Sequence, residues 1–430
     1  MKKVRTEGND EKAAGILAVQ QGAQRIHIEA VLEQAREGLL SVAMQAGLGV
    51  LSAMLERDRD RIVGPKSKPS TERHAYRYGN DEAPVVLGGR KVLVSKPRVR
   101  SVEGDREIVL PSWEWATRED PLDERAMQQM LVGVSTRDYA KNLEPAPSGI
   151  GKSLCVSRSS VSRRFVAQTR ARVDSFLTRP LGELDLVVVM IDGTWLGDHL
   201  QLVALGIDAA GHKHVLGVRE GSTENEAVCR SLLSELVDRG LAVERTRLFV
   251  IDGGKGIRKA IRGVFGEWAL IQRCRVHKLR NVLEHLPEGQ QAWVRATMRR
   301  AWASKDPAAA KRRLNALANQ LEPNWPSAAS SLREGLDETL TIAGLGVTGA
   351  LYRTLSSTNP IENLQSLFKR VARRVTRWRD GAMALRWAVT GLMEAAKSFR
   401  RIRGYRELTQ FLAVLDAHRD ATPTINKKVA

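Results

Sequence analysis

Two apolar runs in the middle of the chain each stop at an aspartate followed by glycine. Leu186-Val187-Val188-Val189-Met190-Ile191 runs into Asp192-Gly193, and Leu248-Phe249-Val250-Ile251 runs into Asp252-Gly253. Continuous apolar runs of this length suit strands buried on both faces of a sheet. If the two strands lie parallel and adjacent, both carboxylates emerge at one carboxyl edge, where open α/β sheets build their sites. Carboxylates brought that close repel unless a cation lies between them or one takes a proton. Hard oxygen donors suit Mg²⁺ or Mn²⁺, above all where a substrate phosphate completes the coordination. Asp-Gly is also a common turn dipeptide, so either pair alone could merely end a strand.

A third carboxylate, Glu362, stands near the start of a helix predicted from Asn359-Pro360 towards Arg379. With Asn359 as cap and Pro360 at the first helical position, Glu362 also fits a capping role. Ile361, Leu364, Leu367, Phe368, Val371 and Val375 form an apolar stripe, while Glu362, Gln365, Ser366, Lys369 and Arg373 share a polar one. Between residues 363 and 404 the Lys and Arg residues are opposed only by Asp380 and Glu394. A carboxylate heading a basic face suits a metal ligand beside a phosphate backbone, with Lys369, Arg373 and Arg377 as contacts; a solvated charged face is the alternative. Cys274-x-x-His277 could be half a zinc site, but four ligands are needed and Cys155 and Cys229 are remote and isolated. Cys274 is therefore read as packing and His277 as a hydrogen-bonding residue near the site. Gly149-Ile150-Gly151-Lys152-Ser153 imitates the end of a phosphate-binding loop, but Ala146 stands where that motif needs glycine.

The elements that must position these residues follow from periodicity. Around the two Asp-Gly runs, residues 200–207 and 212–218 read as a β-hairpin and 224–238 as an amphipathic helix. A helix over 255–264 leads to a fifth strand near 269–272, giving the order β, β, β, α, β, α, β. Residues 288–355, rich in Ala, Leu, Arg and Trp, carry no strand-like run and read as an all-helical insertion. A further helix is expected over 383–399. Upstream, 24–57 reads as one or two amphipathic helices, and short alternating runs at 90–94 and 107–110 point to a small β-rich module. Residues 133–143 and 157–168 could form a helix-turn-helix unit whose second helix offers Arg158, Arg163 and Arg164 to DNA; a solvated basic helix is the competing reading. The expected segments are 1–64 helical, 65–120 β-rich, 121–180 helical, 181–287 the first part of the core, 288–355 the insertion, 356–418 the end of the core, and 419–430 a tail.

Composition narrows the partners. The chain has 430 residues, with Lys+Arg 68 against Asp+Glu 49 and a formal charge of +19, so an anionic partner is expected. Its hydrophobic fraction of 43% supports real cores and excludes wholesale disorder. The longest weakly polar stretch, residues 42–55, is too short for a bilayer span, and no apolar segment follows the charged N-terminus as in a secretory signal. Three scattered cysteines point to a reducing, cytoplasmic setting.

The runs VVVMIDGTW, LFVIDGGKGIRKAI, QRCRVHKLRNVLEHLP and STNPIENLQSLFKRVARRVTRW, in this order, resemble the mutator-type DDE transposases of bacterial insertion sequences. Four ordered blocks are far more specific than any one of them. The resemblance covers roughly residues 120–405. It implies a multidomain α/β chain whose ribonuclease H-like core is interrupted by a helical insertion, with Asp192, Asp252 and Glu362 as the catalytic, metal-binding triad. The family's Cys-x-x-His signature falls on Cys274 and His277, followed by matching Arg280 and Asn281. The implied chemistry is in-line phosphoryl transfer with two Mg²⁺ ions, Mn²⁺ being a possible substitute, acting on double-stranded DNA: terminal inverted repeats and a target. Asp192 would bridge both ions and the other two carboxylates would each bind one. Lys255, Lys278, Arg280, Lys369 and Arg373 would offset phosphate charge. Two ends must be held together, so a homodimer or larger assembly is expected, with the 24–57 helix as a candidate surface. The alternatives are a nuclease of the same fold that cuts without joining, and a DNA-binding regulator on a dead catalytic scaffold.

Overall fold

The strand carrying Asp192 does not stop at the aspartate. In the computed structural model, which describes residues 16–17, 26–27, 39–68, 73–87, 89–104, 106–118, 121–143 and 154–421, it continues to Leu196. The chain folds as two compact units, Met1–Gln168 and Thr169–Ala430.

In the first unit a long helix, α1 (Leu39–Val63), packs on the hairpin of β1 (Ala75–Leu87) and β2 (Arg90–Ser101), edged by β3 (Glu107–Ile108). The core is Leu51, Leu55, Val85, Val92, Val99 and Leu110. The hairpin is much longer than the short runs expected, because β1 leaves a polar face, including Asn80, Asp81 and Glu82, in solvent and so lacks continuous hydrophobic alternation. Two short helices follow, α2 (Pro111–Thr117) and α3 (Pro121–Leu131), and the sequence of α4 (Arg158–Thr178) runs across the boundary at Gln168. The helix expected over 133–143 is not formed. Gly133 takes φ +97°, a left-handed stop for α3, and residues 134–143 are turns with a single 3-10 turn at Ala140–Asn142. Part of the expected 24–57 helix, the proline-rich break at 144–149, the Gly149–Ser153 string and the 422–430 tail lie outside the described residues.

The second unit is built on a five-stranded mixed sheet. Its strands are β4 (Leu186–Leu196), β5 (His199–Asp208), β6 (Lys213–Gly221), β7 (Arg247–Ile251) and β8 (Ala269–Arg273), in the order β8-β7-β4-β5-β6. β4, β5 and β6 form an antiparallel meander, while β7 and β8 are parallel to β4. The sheet is covered by α5 (Glu226–Asp238) and α6 (Lys255–Phe265), whose Leu232, Leu233, Leu236, Ile257, Ile261 and Phe265 close a core with Phe249 and Ile251. β4 outruns the expected boundary because Thr194, Trp195 and Leu196 pair with Gln201, Leu200 and His199 of β5. The Asp192-Gly193 dipeptide is therefore strand, not turn.

Beyond β8, α7 (Arg275–Glu284) opens a helical region. It contains α8 (Glu288–Trp302), α9 (Pro307–Leu321), α10 (Pro326–Arg333) and the shorter α11 (Thr341–Gly344) and α12 (Gly349–Leu355), with a core of its own around Val294, Met298, Leu314 and Leu332. Then come α13 (Asn359–Ala372), α14 (Gly381–Ala396) and α15 (Leu408–Ala421). α13 ends at Ala372, short of the expected Arg379. The following stretch bends so that Trp378 lies over Gly197 in the β4–β5 turn, where a Cβ would meet its ring at 2.5 Å. No described helix is long and apolar enough to cross a membrane.

Gly253, by contrast, is a true turn residue. It has φ +114°, and a Cβ there would lie 2.0 Å from Nε of buried Arg273. Gly253→Ala should lower stability by on the order of 2–3 kcal/mol, since backbone strain and displacement of Arg273 act together. Gly266, with φ +55° and open space around it, isolates the strain alone; Gly266→Ala should cost about 1 kcal/mol. Denaturant unfolding of both variants checks the ordering.

Candidate active site

Ile191 pairs with Ile251 in the parallel ladder, so the residues that follow them, Asp192 and Asp252, come off neighbouring strands at the same edge. Asp192 is 8% exposed. Its carboxyl is pushed up to about 7, first by burial, then by the charges of Asp252 and Glu362, with His277 pulling the other way. Asp252 Oδ1 accepts a hydrogen bond from the Gly254 amide at 2.9 Å, which shapes the turn into α6.

Glu362 arrives from the far side of the helical region, and a specific set of contacts seats it. The Cys274 amide donates to the Ile251 carbonyl at 2.7 Å, locking the β8–α7 junction beside Asp252. The Arg275 amide donates to the Ser356 carbonyl at 3.0 Å, and the Thr358 amide donates to Cys274 Sγ at 3.4 Å. Thr358, the N-cap of α13, donates its hydroxyl to Glu362 Oε1 at 2.6 Å and lies 3.3 Å from His277 Nδ1. Cys274 is thus more than packing: it holds the backbone of the residue that orients Glu362. Burial works to raise the Cys274 thiol, but hydrogen bonds from His277 and Thr358 bring it below its ordinary range. His277 is pushed up to about 9, chiefly by its bond to Cys274, with Glu362 and Asp252 adding to it. Ligand atoms of Cys274, His277 and Glu362 lie within 4.8 Å of one another. These are three ligands where a structural zinc needs four, and the Thr358 hydroxyl already bridges two of them.

An open cleft of about 440 Å³ joins Asp192, Asp252 and Glu362 with Thr194, Trp195, Glu224, His277, Gln365, Ser366 and Lys369. Sequence reasoning missed Glu224, taking it as the first residue of a helix. It lies between β6 and Asn225, the N-cap of α5, whose side chain accepts from the Val228 amide. The signal was topological: two antiparallel steps from β4 through β5 return β6 to the direction of β4, so the end of β6 shares the edge of Asp192. The Glu224 carboxyl is pushed up to about 7 by burial, then by Asp252 and Asp192. Asp192, Asp252, Glu224 and Glu362 offer carboxylate oxygens to this cleft, the donor type that suits a hard divalent cation.

The expected basic contacts divide. Lys369 lines the cleft, and Arg373 and Arg377 are exposed beyond it. Lys255 is exposed and pairs with Glu334 at 3.7 Å, while Arg280 and Asn281 lie farther along α7 and do not line the cleft. Arg158 and Arg163 are exposed on α4, whereas Arg164 is half-buried and paired with Asp123. Lys278 is not available for phosphate. It is fully buried, and its ammonium donates to the Ser331 and Glu334 carbonyls at the C-terminal end of α10, where a positive charge suits the helix dipole. Burial pushes it down to about 8.

A family model described as "Transposase, Mutator family" matches residues 19–401. Among curated relatives, the transposase for insertion sequence element ISRM5 of Rhizobium meliloti is 28% identical over 333 residues, 75% of this chain and 79% of the relative. The transposase for IS256 in transposon Tn4001 of Staphylococcus aureus is 27% identical, over 75% and 81% of the two chains. The transposase for IS1081 of Mycobacterium tuberculosis is 26% identical over 387 residues, 85% and 88% of the two chains.

With its pKa raised from 3.8 to about 7 in the fold, Asp192 lets the native state hold a proton that the unfolded chain has released. Its contribution to stability therefore falls as pH rises between about 4 and 7, is constant above, and vanishes below. In chelator, Asp192→Asn should be more stable than wild type by on the order of 4 kcal/mol at pH 8, with the gap closing by pH 4. Thermal melts across that range measure it.

Proposed function

This chain belongs to the mutator family of transposases, and from that premise we propose that it binds the terminal inverted repeats of an insertion sequence and catalyses divalent-metal-dependent strand cleavage and strand transfer. The observation that carries this reading is the convergence of Asp192, Asp252 and Glu362, far apart in the chain, on one cleft at the carboxyl edge of the sheet. An antiparallel three-stranded meander followed by two parallel strands, interrupted by helices before Glu362, supports a ribonuclease H-like core.

Asp192, Asp252 and Glu362 would hold two Mg²⁺ or Mn²⁺ ions. When bound, such a pair supplies activation of the attacking oxygen and neutralisation of the leaving one in an in-line phosphoryl transfer. The chain's own residues do the rest. Thr358 fixes the Glu362 carboxylate, and the His277 ring, 3.8 Å from Glu362 Oε1, limits the repulsion among the acids when it carries a proton. Lys369, on the same face of α13 as Glu362, faces the cleft where a phosphodiester would enter and supplies a backbone contact, with Arg373 and Arg377 extending that basic track. Trp195, 50% exposed at the cleft rim, offers a flat apolar surface to the same strand. Arg158 and Arg163 on α4 contribute to recognition of the ends, and two copies of the chain hold the two ends together in the cytoplasm.

Asp192→Asn, Asp252→Asn and Glu362→Gln should keep binding to labelled transposon ends while lowering Mg²⁺-dependent cleavage and joining by at least about 100-fold. Mapping new 3′ ends on a mini-transposon measures cleavage, and precleaved ends measure joining separately. Wild-type rates in any one variant would remove that residue from the site, and cutting without joining of precleaved ends would make the chain a nuclease.

A further inference from the structure

We propose that Glu224 is a fourth carboxylate ligand of the divalent-cation site, working with Asp192 and Asp252. The inference rests on the two-cation reading and extends it to a residue outside the acidic triad.

Three observations carry it. First, Glu224 lines the same cleft as Asp192, Asp252 and Glu362. Second, its carboxylate lies over Gly193, next after Asp192, and over Gly254, two residues after Asp252. A Cβ on Gly193 would sit 2.7 Å from Glu224 Oε2, and one on Gly254 would sit 2.8 Å from Oε1 and 3.5 Å from Asp252 Oδ1. Gly193 within β4 and Gly254 at the start of α6 thus lack side chains where Glu224 needs room. A Cβ on Gly256 would meet the Glu226 amide at 2.9 Å, so the β6–α5 loop is seated closely on the start of α6. Third, Glu224 has no structural employment. Asn225, not Glu224, caps α5, and the Glu224 carboxylate makes no hydrogen bond or ion pair with any described residue. A partly buried carboxylate beside two others, with no donor or cation among the described residues against it, is an unfavourable arrangement that a bound cation makes favourable. Glu362 is tied to Thr358 and His277 instead, so the two glutamates are held by different surroundings.

The test is Mn²⁺ binding to the metal-free full-length chain, followed by calorimetry and by electron paramagnetic resonance, with thermal melts in chelator. Glu224→Gln should weaken Mn²⁺ at one site by about tenfold or more. Gly254→Ala, which leaves Glu224 in place but pushes its carboxylate aside, should act in the same direction. The double variant should bind no more weakly than Glu224→Gln alone, within about twofold, because both changes remove one interaction. Metal-free Glu224→Gln should melt no lower than wild type. Unchanged Mn²⁺ affinity in Glu224→Gln, while Asp192→Asn loses it, would overturn this proposal and leave the two-cation reading standing. A much lower melt in chelator would mark Glu224 as structural and overturn it too. If wild type binds Mn²⁺ no better than Asp192→Asn, the two-cation reading itself falls and Glu224 with it.

Discussion

Like charges gathered at one edge of a sheet are the constraint around which the second unit is arranged. Asp192 and Glu224 have carboxyl groups raised to about 7 by burial and by their acidic neighbours. For Asp192, the rise from 3.8 to about 7 corresponds to an unfavourable free energy of roughly 4 kcal/mol. Burying one Leu, Ile or Phe side chain contributes about 1.5–3 kcal/mol. The fully buried residues of β4 and β7, among them Val188, Val189, Met190, Phe249 and Val250, therefore outweigh the repulsion several times over. Apolar strands and acidic tips are two parts of one device, in which the core holds charges where solvent alone would not let them collect.

The second requirement is to bring back Glu362 after more than eighty residues of helix. The helical region has its own core and could drift as a body. It is instead fastened to the sheet by buried polar side chains. Gln272 donates to the Thr339 carbonyl and accepts from the Ile342 amide, and the Arg275 guanidinium bonds to the Thr339 carbonyl between the rings of Trp302 and Tyr352. Lys278 closes the end of α10. These attachments sit within two turns of Cys274, which in turn holds Thr358. Local geometry at the β8–α7 junction thus sets both the insertion and the third acid, and the Cys-x-x-His spacing follows: a residue at the helix start and another one turn on face the same neighbour.

How much of this was legible depends on what each residue answers to. Asp192 and Asp252 were readable because buried parallel strands must be apolar throughout, so the first polar residue stands out. The apolar stripe of α13 was readable for the same reason, and Ile361, Leu364 and Phe368 are buried as its period requires. Gln365, placed on the polar stripe, is buried at the cleft instead. Boundaries were less legible. Whether Asp-Gly is turn or strand depends on a neighbouring strand: β5 pairs past Asp192, while nothing pairs past Asp252. Lys278 looked like any surface lysine on a basic helix, because its carbonyl partners lie more than fifty residues away.

The sequence by itself determined the alternation of strands and helices in the second unit and the helical character of residues 288–355, since each is written in local patterns of apolar and polar side chains. Only the tertiary structure decided which of the acids and bases share a space. Glu224 enters the cleft because two antiparallel steps turn β6 to the direction of β4, and Lys278 leaves the surface because α10 folds over it. Neither outcome has a local signature, for charge acquires its role from what lies across a few ångströms rather than along the chain.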